Sequence, residues 1–140
     1  MTALSPTVAD WFAAKGWRAR PHQLAVLEAE RAGNSVLLIA PTGAGKTLAG
    51  FLPSIEDLIA NPMEGLHTLY ISPLKALAVD VARNLGDPVR EMGLKIKVET
   101  RTGDTPASRR QRQRFDPPHI LMTTPEQLAL LLSHPDSKRL

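Results

Sequence analysis

The sequence predicts an α/β fold, a parallel sheet flanked by helices, and three observations predict it. Short β-rich runs at Ser35–Ala40, His67–Ser72, Leu94–Thr100 and His119–Thr124 alternate with helix-favouring stretches. Each run is about six residues long and mostly apolar without strict alternation, which suits strands covered on both faces. A glycine-rich turn at residues 40–47 directly follows the first run and opens a helix. The element order read this way is α-α-β-α-β-α-β-α-β-α, the alternation that right-handed crossovers produce.

The helices are placed by their ends. The chain holds 12 prolines, more than the usual ~5%, and five of them stand just before helical stretches: Pro6, Pro21, Pro73, Pro106 and Pro125. A proline there loses no hydrogen bond, because the first N–H groups of a helix lack partners anyway. Ser5, Ser72, Thr105 and Thr124 directly precede four of these prolines and are candidate N-caps. Gly16 and Gly33 are read as closing the first two helices. Leu48, Phe51, Leu52, Ile55, Leu58 and Ile59 recur at helical spacing, so the helix after the turn faces a core, with a kink or local break expected at Pro53.

Composition narrows the function classes. The 140 residues are 43% hydrophobic and 22% charged, which is globular composition. No cysteine is present, which excludes disulfides, thiolate metal sites and a cysteine nucleophile. No apolar run is longer than Val36–Ala40, far below the roughly 18 residues that span a bilayer. The N-terminus carries Asp10 and shows no basic stretch followed by an apolar core, so no secretory signal and a cytoplasmic location are expected. The formal net charge is +3, and the excess of Lys and Arg lies in the second half, compatible with a polyanionic partner. His22, His67, His119 and His134 lack ligand spacing and are read as structural or exposed.

The chemistry-bearing segment is Ala40-Pro41-Thr42-Gly43-Ala44-Gly45-Lys46-Thr47. Gly43 and Gly45 let the backbone bend tightly and turn its N–H groups toward one point, while the helix behind adds partial positive charge. Phosphate oxygens fit that concavity. Lys46 can reach the β- and γ-phosphates of a nucleotide, and the Thr47 hydroxyl can complete a Mg²⁺ shell. Upstream, Gln23 lies 23 residues before Lys46, and an amide can pair with an adenine edge. Arg20 could stack on the base and Trp17 could pack nearby; a solvent-facing Gln23 and a core Trp17 are the plain alternative.

Three further groups follow strands, at the carboxyl edge where a parallel sheet presents ligands. They are Ser72-Pro73-Leu74-Lys75, Arg101-Thr102-Gly103-Asp104 and Thr123-Thr124-Pro125-Glu126. Each alone could be an ordinary cap; in this order after this turn they suggest contacts to a nucleic-acid backbone, which carry no base sequence. The run Arg109-Arg110-Gln111-Arg112-Gln113-Arg114 would point around a whole helix, so a solvated helix is preferred over a single nucleic-acid face.

Ala40 stands where the general phosphate-loop pattern has Gly, and Ala-x-Thr-Gly-x-Gly-Lys-Thr resembles the version in superfamily 2 helicases and translocases. Arg20-Pro21-His22-Gln23 is similar to their adenine-sensing motif. Together with Ser72-Pro73-Leu74-Lys75-Ala76-Leu77, Arg101-Thr102-Gly103-Asp104 and Thr123-Thr124-Pro125-Glu126, these motifs closely resemble Lhr-type DEXH-box helicases over roughly Trp11–Leu132. The nearest likeness is to the bacterial branch associated with a DNA ligase and DNA repair.

The resemblance implies a RecA-like P-loop NTPase sheet truncated before the DExH strand. Residues 1–19 would be a helix leading into the adenine-sensing motif, and 20–140 the N-terminal portion of the first RecA-like ATP-binding domain. ATP and Mg²⁺ are the implied cofactors, with Arg20, Gln23, Pro41, Thr42, Gly43, Ala44, Gly45, Lys46 and Thr47 on the nucleotide. Lys46 and Thr47 would be catalytic, and Thr47 would touch the metal. Ser72, Pro73, Lys75, Arg101, Thr102, Gly103, Asp104, Thr124, Pro125 and Glu126 would contact nucleic acid, single-stranded DNA rather than RNA, in a motor of 3′-to-5′ polarity.

No Asp-Glu-x-His occurs in the 140 residues, and the one adjacent acidic pair, Glu56-Asp57, lies in the amphipathic helix. By resemblance the DExH carboxylates lie beyond Leu140, so the chain alone is expected to lack ATPase and unwinding activity and to be poorly stable. A non-catalytic nucleotide or nucleic-acid binding module and an RNA helicase are the competing classes.

Overall fold

The structure, a computed structural model, describes residues 3–41 and 45–135. The chain divides into two compact units, Met1–Pro62 and Met63–Leu140.

The first unit packs three helices. α1 (Pro6–Ala14) starts where expected: Pro6 occupies the first turn and the Ser5 hydroxyl accepts the Val8 N–H at 3.5 Å. α2 (Pro21–Arg31) also opens on proline, and α3 (Lys46–Ala60) follows the glycine turn. Gly16 and Gly33 follow the ends of α1 and α2, both with positive φ. The core is Val8, Leu27, Ala49, Leu52 and Ile55, with Trp11 and Phe12 at its edge. Glu56 is buried in it and fully engaged: its carboxylate accepts the Ser5 N–H and hydroxyl at 3.1 Å and the Arg31 guanidinium at 3.5 Å. One carboxylate thereby ties the start of α1 and the end of α2 to α3. Of the kink or local break expected at Pro53, the break does not occur. α3 runs through it as one helix, because the loss of a single N–H bond is small against a face that buries Phe51, Leu52, Ile55 and Leu58.

The second unit is a three-stranded sheet with helices. β1 (Thr68–Ile71), β2 (Val98–Arg101) and β3 (Ile120–Thr123) are parallel in the order β1-β3-β2. α4 (Lys75–Glu91) crosses from β1 to β2 and packs on β2 and β3, and α5 (Ala107–Phe115) connects β2 to β3. α6 (Pro125–Ser133) closes the described chain. β3 is buried along its whole length, as a central strand should be, while β2 is an outer strand. No helix among the described residues is long and apolar enough to cross a membrane.

The α/β class with a parallel sheet is borne out, with one correction. Ser35–Ala40 was expected as the first strand, yet it pairs with nothing among the described residues, and Leu37 and Ile39 are each 84% exposed. An apolar run becomes a strand only when a neighbour takes its backbone N–H and C=O groups. No described segment does so here. The other three runs hold, shortened to four residues each.

Candidate nucleotide and nucleic-acid sites

The turn that leads into α3 is held from α2. Gly45 is the residue before the helix and lies in the left-handed region at φ +74°, a conformation costly for any residue with a Cβ. Lys46 and Thr47 are therefore the first two helical residues, both exposed on the turn that carries the free N–H groups. The Gln23 side chain, only 3% exposed, donates from Nε2 to the Gly45 carbonyl at 3.3 Å, and its Oε1 accepts the Arg20 N–H at 2.8 Å. A Cβ placed on Gly45 would stand 2.7 Å from that Nε2.

The solvent-facing alternative for Gln23 is therefore corrected: the amide is buried and clamps the start of α2 to the start of α3. A carboxamide oxygen has two lone pairs and its nitrogen two hydrogens, so these two bonds use one of each. Arg20 is exposed, and Trp17 is 53% exposed, edge-on to the buried Trp11 at 5.5 Å, so Trp17 is a surface aromatic rather than a core residue. Pro41 is exposed; Thr42, Gly43 and Ala44 lie outside the described residues.

The described donor set suits Mg²⁺ only in one way. No group of three His, Asp or Glu side chains that could hold a metal exists among the described residues. A single threonine hydroxyl fits Mg²⁺, which retains waters and takes its remaining oxygens from phosphates.

In the second unit the register aligns the three strand-end groups. Ile71 and Arg101 both pair with Thr123, so Ser72, Thr102 and Thr124 leave one edge of the sheet side by side. The Ser72 N–H donates to the Thr123 carbonyl at 3.0 Å, and the Thr123 hydroxyl donates to the Arg101 carbonyl at 2.7 Å, which stitches the three together. The Thr102 N–H donates to the Thr105 hydroxyl at 2.9 Å and the Asp104 N–H to the Thr102 hydroxyl at 3.2 Å, so the loop holds its own shape. Lys75, the first residue of α4, forms an ion pair with Asp104, Nζ to Oδ2 2.6 Å.

Several expectations change at this edge. Ser72 and Pro73 do not start α4; the helix begins at Lys75, and the buried Ser72 hydroxyl accepts the Leu74 N–H at 3.2 Å. Thr105 serves the Thr102 turn instead of capping α5. Arg101 is buried, with its Nη1 donating to the Arg110 carbonyl at 2.8 Å. Burial, with Arg110 and Arg114 nearby, lowers its pKa from the ordinary arginine value. Thr124 is buried ahead of Pro125, while Gly103, Pro125 and Glu126 are exposed. The exposed charged groups at the edge are thus Lys75, Asp104 and Glu126.

The arginine-rich run forms α5, with Arg109 and Arg112 exposed and Arg110 and Arg114 half-buried, but Gln113 is buried and bonds the Glu99 carboxylate at 3.0 Å and the Thr100 carbonyl at 3.1 Å. His119 is structural: Nδ1 accepts the Lys97 N–H at 2.9 Å, which leaves Nε2 to donate to the Met63 carbonyl at 2.7 Å. Sequence reading missed the Lys75–Asp104 pair, and no spacing signal could have found it, since their strands are separated by β3.

Residues 20–140 match the family described as DEAD/DEAH box helicase. The chain is 40% identical, over 98% of its length, to the ATP-dependent helicase Lhr-Core of Methanocaldococcus jannaschii, of which it covers 18%. It is 44% identical, over 89% of its length, to the Lhr helicase/probable uracil glycosylase of Mycolicibacterium smegmatis, of which it covers 9%. Among solved structures, that of Mycobacterium smegmatis helicase Lhr bound to ssDNA and AMP-PNP superposes with a TM-score of 0.83 at 43% identity, over 95% of this chain and 18% of that one. The DUF1998 helicase MrfA superposes with a TM-score of 0.86 at 30% identity, over 99% of this chain and 22% of that one. The chain spans less than a fifth of the length of these curated relatives.

Proposed function

The chain belongs to the DEAD/DEAH box helicase family, and from that premise we propose that it is the ATP-gripping portion of an Lhr-like, ATP-dependent DNA motor. In this reading the turn at residues 40–47 holds the nucleotide's phosphates. Lys46 neutralises the terminal phosphates, Thr47 offers its hydroxyl to Mg²⁺, and Gln23 with Arg20 meets the adenine. Bound Mg²⁺ would supply charge neutralisation between the terminal phosphates. The observation that carries the reading is the left-handed Gly45 that starts α3 on Lys46, clamped by the buried Gln23 amide.

The aligned strand ends would meet a single DNA strand through its phosphates, with Lys75 as the exposed cation and the Gly103 and Pro125 segments alongside. The Mycobacterium smegmatis Lhr structure, bound to ssDNA, supports DNA over RNA for this edge. A 3′-to-5′ polarity and a role in DNA repair, beside a ligase, are the finer parts of the same proposal.

These 140 residues contain no Asp-Glu-x-His to position the attacking water, so they bind nucleotide without turning it over. The test pairs two assays on the purified chain. Anisotropy should show labelled (dT)20 binding more tightly than (U)20, and steady-state phosphate release should stay at background with either strand. Hydrolysis abolished by Lys46→Ala would overturn the inactive-segment reading, and tighter (U)20 binding would favour the RNA class.

A further inference from the structure

The second unit carries a groove that the nucleotide and strand-end sites leave unused. It measures about 500 Å³ and is walled by Val79 and Arg83 of α4 and by Arg109 and Arg112 of α5. Its floor is the edge of β2 at Val98–Thr100. β2 is the outermost strand. The Ile120 N–H donates to the Lys97 carbonyl at 3.1 Å, so in parallel pairing Lys97 and Glu99 turn their backbone groups toward β3 and Val98 and Thr100 turn theirs outward. Of those outward groups only the Thr100 carbonyl has a partner among the described residues, the Gln113 amide. The Val98 N–H and C=O and the Thr100 N–H are left as an open edge.

Charge surrounds this edge asymmetrically. Glu99 is its one carboxylate, and it is spent on Arg112 at 2.5 Å and on Gln113. Arg83 and Arg109 are exposed and make no ion pair or hydrogen bond among the described residues. The groove therefore offers two unneutralised guanidinium groups, one on each wall, over a strand edge with unpaired amides and an apolar patch at Val79 and Val98.

We infer that this groove is a docking slot for an extended acidic peptide segment of a partner protein, which adds to β2 as a short outer strand. Successive side chains of an added strand alternate between faces, so neighbouring carboxylates would reach Arg83 on the α4 wall and Arg109 on the α5 wall. A flanking apolar side chain would cover Val79 and Val98. A nucleic-acid strand would satisfy the arginines yet leave the β2 amides and the apolar patch without partners, which is why a peptide is favoured. Guanidinium–carboxylate pairs supply the strongest of these bonds. The inference is independent of the nucleotide site.

The test uses the full 140-residue chain and a fluorescein-labelled Val-Asp-Glu-Val-Asp-Glu hexapeptide, followed by anisotropy at low salt. Saturable binding is expected, weakened at least about fivefold by Arg83→Glu and by Arg109→Glu. Arg90→Glu, on α4 outside the groove, serves as the charge control and should weaken it far less. A peptide N-methylated on alternate amides should bind at least about tenfold more weakly, since methyl groups block strand pairing. Circular dichroism checks that each variant stays folded, with Arg83→Gln and Arg109→Gln as milder versions. Absence of binding, equal weakening by Arg90→Glu, indifference to N-methylation, or displacement of the peptide by (dT)20 would each overturn the slot.

Discussion

Replacing Gly45 with alanine should destabilise the first unit by about 2–3 kcal/mol, and the structure says where each part arises. Gly45 sits at φ +74°, where a Cβ costs about 1–2 kcal/mol. The new methyl would also stand 2.7 Å from Gln23 Nε2, so the amide must withdraw from the Gly45 carbonyl and forfeit a hydrogen bond worth about 1 kcal/mol. Urea unfolding followed by fluorescence reads this unit directly, because both tryptophans, Trp11 and Trp17, lie in it. The two parts separate in a double-mutant cycle. In a Gln23→Ala background the collision and the bond are already gone, so Gly45→Ala should cost about 1 kcal/mol less than in the native background. Additive costs would refute the clamp, and a neutral Gly45→Ala would refute the left-handed turn itself.

Three further outcomes follow from the same geometry. Because Asp104 already neutralises Lys75, Asp104→Asn should tighten (dT)20 binding about two- to fivefold, while Lys75→Gln should weaken it and lower the log–log salt slope by about 0.7, both read by anisotropy titration. Glu56→Ala leaves the Ser5 N–H without its acceptor and the Arg31 guanidinium with the Ala3 carbonyl alone, and should cost about 2–3 kcal/mol in urea unfolding, more than Asp87→Ala, which breaks only an exposed pair with Arg90. The exposed Leu37 and Ile39 should make the chain bind an apolar dye and melt broadly; Leu37→Lys with Ile39→Lys should reduce the dye signal, and a sharp melt without dye binding would contradict this.

What the sequence made legible was local. The Ser5–Pro6 cap, the start of α2 on Pro21 and the start of α3 on Lys46 after the left-handed Gly45 depend on neighbours within a few residues, and they form as read. Three of four strands follow from short apolar runs because each finds a partner in this chain. Ser35–Ala40 has the same pattern and does not pair, since pairing depends on another segment and not on the run itself. Long-range placement was illegible for the same reason. Nothing in Arg101-Thr102-Gly103-Asp104 signals that Arg101 turns inward to the Arg110 carbonyl while Asp104 turns outward to Lys75. Gln113 lay in a run that looked wholly solvated, and its burial depends on the edge of β2. Gln23 stood out by its spacing from Lys46, but its carbonyl partner on Gly45 is visible only in three dimensions.

The central claim, that the turn opening α3 grips a nucleoside triphosphate, is tested most directly by titrating the chain with a fluorescent ATP analogue and Mg²⁺. The account predicts saturable binding that Lys46→Ala weakens at least about tenfold without altering the circular dichroism spectrum. Equal affinity in the two proteins, or no binding by the native chain, would contradict it.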